Sequence, residues 1–200
     1  MAVMVSEAVD GILLAAGRSS RAGMFKMEVE LAGKPLLLWS LEAMAAVCAR
    51  VIVVAGHAPE KIRRLIAGRP GAELVVNENY ASGMLTSIQA GSAMVRARRF
   101  FLMPGDMPLV GTPVYRKLLA CEADIAIPLC RGRRGHPVLM AGSLIGELLA
   151  EAPDSSLARF IARRGFAAVE VGDEGILADL DGPDDIKKMD ALLRAGGENE

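Results

Sequence analysis

The chain has 200 residues, a formal net charge of −1 at pH 7 and 52% hydrophobic residues. These values suit a single domain spanning 1–200 with a sizeable core. They also exclude a global electrostatic attraction to nucleic acid or to an anionic membrane, so any anion site must be local. No apolar run approaches the ~18 residues of a membrane span, no signal peptide is visible, and the three cysteines lack metal-like spacing. We therefore expect a cytoplasmic protein.

Apolar runs alternate with segments of helical periodicity through the first two thirds of the chain. The predicted strands cover 12–16, 50–56, 73–77, 99–103 and 124–128. The predicted helices cover 36–48, 59–67 and 84–95, and a further helix starts with Thr112 as N-cap and Pro113 at its first position. This alternation predicts an α/β fold: a doubly wound, Rossmann-like, mostly parallel sheet with helices on both faces.

The last third of the chain has a different pattern. Turn residues in 130–139 lead into a short strand, which predicts a small β excursion covering the site. Segments 143–149 and 155–163 are predicted as helices and 167–171 as extended. Segment 176–181 is also predicted as extended, with acidic residues alternating on one face. A final helix is expected over 183–193, followed by a frayed tail over 194–200.

The first predicted strand runs into a loop rich in Gly, Ser and Arg, from Gly17 to Gly23, with Lys26 shortly after it. Glycines leave backbone N–H groups open to a ligand, and Arg18, Arg21 and Lys26 add positive charge. The loop therefore suits a phosphate group. Its glycine spacing fits neither G-x-G-x-x-G nor G-x-x-x-x-G-K-[ST]. The loop thus indicates a third kind of nucleotide site, or none.

Phosphate chemistry usually needs a divalent metal held by carboxylates. Asp106 follows an apolar strand at the sheet edge where ligands of such folds bind, although loop aspartates are often only turn formers. Asp179 and Asp181 are further candidates, or solvent-facing residues of an edge strand. Asp184 and Asp185 suit the N-terminus of the last helix instead.

Several basic residues have alternative interpretations. Lys34 lies beside Gly33 and Pro35 and is a weaker candidate than Lys26. The arginines at 131, 133 and 134 form either an anion-binding flap or a solvated turn. His136 either binds substrate or is a hydrogen-bonded structural residue.

Five motifs in this order resemble one enzyme family. They are Leu14-Ala-Ala-Gly-Arg-Ser-Ser-Arg21 with Gly23 and Lys26, Asn79-Tyr-Ala-Ser-Gly-Met84 with Ser87 and Gly91, Pro104-Gly-Asp-Met-Pro108, Gly135-His-Pro-Val138 and Asp179-Leu-Asp-Gly-Pro-Asp-Asp185. Together they are similar to the molybdenum cofactor cytidylyltransferases, the MocA-like branch of the MobA-like transferases. The resemblance runs from about residue 11 to residue 193. The first motif alone is shared with many sugar, alcohol and cofactor transferases.

The resemblance implies transfer of CMP from Mg-CTP to the phosphate of a molybdopterin-type cofactor, with release of pyrophosphate. It also implies roles for individual residues. The catalytic residues would be Arg21, Lys26 and Asp106, the metal ligands Asp106 with Asp179 or Asp181, and the acceptor-binding residues Gly135, His136 and Pro137. The nucleotide-binding residues would be Leu14, Ala15, Ala16, Gly17, Arg18, Ser19, Lys26, Asn79, Gly83 and Ser87.

Position 16 bears on the choice of base. Guanylyl relatives carry Gly at this position of the motif, so Ala16 favours CTP. The sequence departs from the family pattern at Ala22, Phe25 and Tyr80, and it lacks a glycine-rich segment around 154–159. This last departure concerns the acceptor more than the transfer chemistry.

Two alternatives to this function remain open. The first is the same chemistry with GTP or with a sugar- or alcohol-phosphate acceptor. The second is a non-catalytic accessory protein that binds the cofactor and delivers it to a molybdenum hydroxylase apoenzyme. The retention of Lys26, Asp106 and the late aspartates argues against lost activity.

Overall fold

The computed structural model describes residues 8–17, 25–180 and 182–197. A central sheet and a two-stranded hairpin account for all strands in these ranges. The strands are β1 (Val9–Ala15), β2 (Glu30–Leu31), β3 (Lys34–Pro35), β4 (Arg50–Ala55), β5 (Ala72–Val76), β6 (Arg99–Pro104), β7 (Ile125–Cys130), β8 (Arg133–Arg134), β9 (Val138–Ala141) and β10 (Ala167–Glu170).

The central sheet has the order β10-β7-β9-β6-β1-β4-β5, with β8 added to β7, while β2 and β3 form the separate hairpin. Strands β6, β1, β4 and β5 are mutually parallel, and β10 is parallel to β7. Strand β9 is antiparallel to both of its neighbours, β6 and β7. The predicted mostly parallel, doubly wound sheet is therefore confirmed.

Helices cover both faces of this sheet. They are α1 (Leu36–Ala45), α2 (Pro59–Ile66), α3 (Met84–Ser92), α4 (Thr112–Leu119), α5 (Ile145–Leu149), α6 (Leu157–Arg164) and α7 (Pro183–Gly197). Helices α1, α2 and α4 share one apolar cluster with the sheet, and α3, α5 and α6 share the other. Strand β1 serves both clusters because successive side chains alternate: Leu13 faces the first cluster and Ile12 the second. Helix α7 packs with the hairpin through Leu31 and Met189.

Four sequence predictions need correction. The strand in 130–139 is not only an excursion, because β9 inserts into the central sheet and only β8 projects from it. The segment predicted as extended over 176–181 instead begins in a short 3-10 helix, Glu174–Leu177, since the Asp173 side chain accepts a hydrogen bond from Gly175 N (2.8 Å) and starts a turn. Gly111, not Thr112, is the N-cap of α4. Helix α7 continues past the predicted tail boundary to Gly197.

A buried ion pair fixes the amino end of β1. The carboxylate of Asp10 is 4% exposed and accepts hydrogen bonds from Arg50 Nη2 (2.8 Å), Arg96 N (2.8 Å) and Ala97 N (3.2 Å). The Arg50 guanidinium also donates to Glu73 (3.0 Å). This network joins β1, β4 and β5 to the turn before β6, at the end of the sheet opposite the loops that follow the strands.

Among the residues that the structure describes, no helix is both long enough and apolar enough to cross a membrane.

Replacing Gly91 with Ala should destabilise the protein despite raising helix propensity. A Cβ at this position of α3 would lie 2.6 Å from Ile12 Cγ2 and 2.9 Å from Val54 Cγ2, both on stiff β-branched side chains. We expect a loss of about 1–3 kcal/mol in the free energy of unfolding, measured by urea titration. Gly146→Ala in α5 is the matched control, because its Cβ would enter open space. It should stabilise by up to about 1 kcal/mol, and equal effects of the two variants would contradict this packing account.

Replacing Asp10 with Asn should lower stability at pH 7 by about 2 kcal/mol, because the partly buried Arg50 loses the more buried of its two charged partners. Burial raises the pKa of Asp10, but the bonds from Arg50, Arg96 and Ala97 outweigh burial and hold that pKa below its usual value. The stabilisation is therefore complete above about pH 4 and is lost as the pH falls through the lowered pKa.

The difference in unfolding free energy between wild type and Asp10→Asn should shrink over that acid range. Asp124→Asn, which changes an exposed carboxylate, provides the control and should match wild type throughout. A difference for Asp10→Asn that does not depend on pH would contradict the assignment.

Candidate active site

The carboxyl ends of β1 and β6 form one wall of a cavity. The two strands are adjacent and parallel, and Gly105 N donates a 2.8 Å hydrogen bond to Leu14 O just past their last register pair. The cavity has a volume of about 360 Å³. Its lining consists of Leu14, Ala16, Gly17, Lys26, Met27, Tyr80, Gly83, Met84, Ser87, Pro104 and Asp106. We call it the first cavity. Seven of the residues predicted for the site therefore lie around one space.

Two of these residues form an ion pair. Lys26 begins a short 3-10 helix, Lys26–Glu28, and Asp106 follows β6. Lys26 Nζ lies 2.6 Å from Asp106 Oδ2, and the two side chains are 22% and 20% exposed. A cation and a carboxylate that are 80 residues apart in the chain thus face each other inside the cavity.

The loop that carries Asp106 is held from two sides. Ser40 Oγ in α1 donates to Gly105 O (3.2 Å), and Leu180 N donates to Asp106 O (3.2 Å). The second bond brings the late acidic segment to Asp106. The backbone at Leu180 therefore passes next to the candidate metal ligand.

Of the two late aspartates predicted to bind metal, the structure describes Asp179. Asp179 is exposed and lines a neighbouring cavity of about 630 Å³ between the turn after β7 and α7, which we call the third cavity. Asp181 lies outside the described residues. Within the described ranges, no three His, Cys, Asp or Glu side chains are arranged to hold a metal ion. The protein donors that are present, one or two carboxylates, suit Mg²⁺ or a similar ion that takes its other ligands from phosphate oxygens and water.

Asn77 organises the far wall of the first cavity. This buried side chain directly follows β5 and donates from Nδ2 to Thr86 Oγ1 and Ser87 Oγ, both at 2.9 Å. Its Oδ1 accepts from Asn79 N (3.0 Å). Asn77 is a residue that the sequence analysis missed, although its place just past a strand end was a usable signal. Asn79, which was predicted to bind nucleotide, is not among the residues that line the cavity.

Tyr80 also lines the first cavity and packs directly against Gly56, the residue after β4. No side chain fits at Gly56, because a Cβ there would overlap Tyr80 and approach Ala16 O to 2.9 Å. Ala16 is buried, and its carbonyl oxygen accepts a long hydrogen bond from His57 N (3.5 Å). Ala15 is buried within β1 and does not line the cavity. Arg18, Ser19 and Arg21 lie outside the described residues.

A second cavity, of about 430 Å³, adjoins the first and shares Gly83 and Met84 with it. Gly135 and His136 line it, together with the segment that starts α6. Gly135 packs against the backbone of Ile176 so closely that no Cβ fits, and His136 N donates to Ile176 O (3.0 Å). Pro137 follows through a cis peptide bond and is buried. The predicted acceptor segment is thus next to the predicted nucleotide segment.

His136 is largely withdrawn from solvent. Burial lowers the pKa of its imidazole, while the charges of Asp106 and Asp179 and a hydrogen bond to the Leu102 backbone act in the opposite direction. Its Nδ1 is buried and has no hydrogen-bond partner in the described part of the chain. The effect of burial is the larger one, so the pKa of His136 lies below its usual value.

The other basic residues considered in the sequence analysis have different neighbours from one another. Lys34 pairs with Glu42 (2.6 Å) and lies over the Trp39 ring, 3.7 Å from its centroid, so it supports the hairpin and α1 rather than the site. Arg131 pairs with Glu174 (2.6 Å). Arg134 lines the second cavity.

Comparisons with known proteins agree with this arrangement. Residues 11–169 match the family model described as the MobA-like NTP transferase domain. The chain is 31% identical over 179 residues to the molybdenum cofactor cytidylyltransferase of Escherichia coli (strain K12), covering 89% of this chain and 93% of that protein. It is 29% identical over 194 residues to a molybdenum cofactor guanylyltransferase of Cereibacter sphaeroides, covering 92% and 96%.

A solved structure gives the same result at the level of the fold. Rv0371c from Mycobacterium tuberculosis H37Rv, in complex with manganese, superposes with a TM-score of 0.77 at 25% identity, covering 91% of this chain and 97% of that one. The family match spans most of the chain, and it includes the strand ends that form the first cavity. This chain is therefore a nucleotidyltransferase that belongs to the MobA-like NTP transferase family.

Proposed function

We propose that this enzyme transfers CMP from CTP to the terminal phosphate of a molybdopterin-type cofactor and releases pyrophosphate. One observation carries the proposal: two cavities adjoin at Gly83 and Met84, with the Lys26–Asp106 pair in the first and His136 in the second. Transfer between two phosphorylated substrates needs this arrangement, because the reacting atoms must meet at a shared boundary. The similarity to a molybdenum cofactor cytidylyltransferase over nearly the whole chain supports the choice of CTP and a molybdopterin-type cofactor as the two substrates.

The nucleotide occupies the first cavity in this proposal. Its triphosphate lies against the loop that starts at Gly17, where Arg18, Ser19 and Arg21 are expected to contact it, and against Lys26. No Cβ is present at Gly17, and the space around that position is open, so backbone N–H groups can approach phosphate oxygens. The cytosine base of CTP is recognised near Ala16 in this proposal.

The Lys26–Asp106 pair separates when the nucleotide binds. About one fifth of each side chain is exposed, and the triphosphate and the metal ion would replace the partner that each group loses. Lys26 then turns to the triphosphate. Asp106, with Asp179 or Asp181, would hold the Mg²⁺ ion, which neutralises charge on the α-phosphate and on the departing pyrophosphate. The manganese in the structure of the mycobacterial relative is consistent with a divalent ion here.

The acceptor supplies its own nucleophile. The second pKa of a phosphomonoester is about 6, so its oxygen is mostly deprotonated at neutral pH and needs no general base. That oxygen forms a bond to the α-phosphorus of CTP, and the bond from the α-phosphorus to the bridging oxygen breaks, releasing pyrophosphate with its electron pair. The protein therefore contributes positioning and charge neutralisation, through Lys26, Arg21 and backbone N–H groups. His136 is not needed as a base.

A second candidate function is guanylyl transfer to the same acceptor. It is favoured by the 29% identity to a guanylyltransferase over a similar share of the chain. We propose cytidylyl transfer because Ala16 carries a methyl group where guanylyl relatives carry Gly. The product would be delivered to a molybdenum hydroxylase apoenzyme.

The choice of base should be measurable as pyrophosphate release from CTP and GTP with molybdopterin cofactor as acceptor. Wild type should prefer CTP, and Ala16→Gly should reduce the ratio of kcat/KM for CTP to that for GTP by roughly tenfold, the usual effect of one methyl-sized difference in a pocket. Ala126→Gly, the same change at a buried site in β7, should leave the ratio unchanged. Wild-type turnover with GTP but not CTP would disprove the cytidylyl assignment.

The role of Asp106 should be visible in the metal dependence of turnover. Asp106→Asn keeps the size of the side chain but removes the charge, so kcat should fall by roughly 100-fold or more and half-saturation should require more Mg²⁺. Asp124→Asn, an exposed aspartate before β7, should behave as wild type. Unchanged turnover of Asp106→Asn would overturn the assignment of Asp106 as a metal ligand, whereas absence of turnover in wild type would support an accessory role without catalysis.

A further inference from the structure

The three arginines in the turn after β7 have different surroundings. Arg131 forms an ion pair with Glu174. Arg133 and Arg134 are consecutive residues of β8, so their side chains point to opposite sides of the strand. Arg133 lines the third cavity, beside α7, and Arg134 lines the second cavity. Only one of the three therefore faces the space proposed for the acceptor.

The guanidinium of Arg134 lies over the ring of Phe166, with its carbon 5.2 Å from the ring centroid. It has no ion-pair partner within residues 8–17, 25–180 and 182–197. A cation–π contact uses none of the N–H groups of the guanidinium for a conventional hydrogen bond, so these donors remain for other acceptors. Arg134 is exposed, so these donors are accessible to a ligand in the second cavity.

The second cavity has two distinct ends. At one end, Gly83 and Met84 are shared with the first cavity. Arg134 does not line the first cavity, which lies at the ends of β1 and β6. It belongs to β8, which pairs with β7 on the far side of β9, and Phe166 directly precedes the edge strand β10. A substrate phosphate that reacts with CTP must therefore lie at the Gly83 end, and the rest of the substrate extends towards Arg134.

The lining between these ends is mostly apolar, with Ile88, Ile127 and Ile161 nearly fully buried beneath it. Polar groups are found at the edge of the cavity, including Ser155 and Ser156 before α6. Such a lining suits a planar ring system that carries a few hydrogen-bonding atoms.

We propose that Arg134 binds the planar heterocycle of the acceptor, at the end of the second cavity away from the transferred phosphate. This inference rests on the proposed function, since it takes the second cavity as the acceptor site. The guanidinium donates hydrogen bonds to carbonyl oxygen or ring nitrogen atoms of the heterocycle, and Phe166 holds the guanidinium in position. Arg134 is thus a residue that determines acceptor specificity without contributing to CTP binding.

Steady-state kinetics with CTP, Mg²⁺ and molybdopterin cofactor test this assignment. Arg134→Gln should raise the KM for the acceptor at least about tenfold, the size expected on losing a charge-assisted hydrogen bond, and leave the KM for CTP unchanged. Arg134→Lys should fall between Gln and wild type, because it keeps the charge but not the planar fork. Arg133→Gln is the matched control, since it removes the same charge from the adjacent residue on the other side of β8, and it should match wild type.

The outcomes separate the inference from the proposed function. If wild type turns over and Arg134→Gln has an unchanged acceptor KM, the role of Arg134 is disproved and the proposed function stands. The role of Arg134 is also disproved if Arg133→Gln raises the acceptor KM as much as Arg134→Gln does. It is likewise disproved if Arg134→Gln keeps wild-type thermal stability but raises the KM for CTP as much as the KM for the acceptor. If wild type releases no pyrophosphate with this acceptor, the proposed function is disproved and the assignment of Arg134 to its heterocycle falls with it.

Discussion

The pairing of β1 with β6 is the constraint on which the site depends. These two strands lie side by side in the middle of the sheet, in a parallel register that sets Leu14 against Pro104. Parallel strands end at the same edge, so the loops after them emerge together. Lys26 and Asp106 come from those two loops and meet at 2.6 Å. The helices on the two faces bury this strand pair almost completely, so packing holds the strand ends that carry the site in register.

The fold was largely predictable because its signals are local. Apolar runs such as Arg50–Ala55 and helical periodicity such as that of α1 identify elements whatever surrounds them, and their alternation indicates a doubly wound sheet. The direction of β9 was not predictable. Its four residues are apolar or small and buried in the middle of the sheet, and such a run fits either strand orientation. The 3-10 helix at 174–177 was missed because a single hydrogen bond from Gly175 N to the Asp173 side chain starts it, and such a bond leaves no periodic pattern in the sequence.

The residue types of the site were predictable, but their partners were less so. Lys26 and Asp106 were both candidates, yet no local pattern encodes a contact across 80 residues. Asn77 was missed because its hydrogen bonds to Thr86 and Ser87 depend on α3 folding back against β5. The turn after β7 was left between an anion-binding flap and a solvated turn. Arg133 and Arg134 line different cavities because side chains alternate along β8. Arg131 differs from both because it pairs with Glu174, which comes from a segment distant in sequence.

If Lys26 binds the triphosphate and Asp106 the metal, as proposed above, their ion pair provides an internal counter-ion for each substrate component. A divalent cation that arrives alone must compete with the ammonium group for the Asp106 carboxylate, and a triphosphate that arrives alone must draw Lys26 from that carboxylate. When both arrive together, each releases the residue that the other requires. Their binding free energies are then coupled, and the coupling is necessarily reciprocal. The metal–nucleotide complex is therefore favoured as a unit, before any acceptor is present.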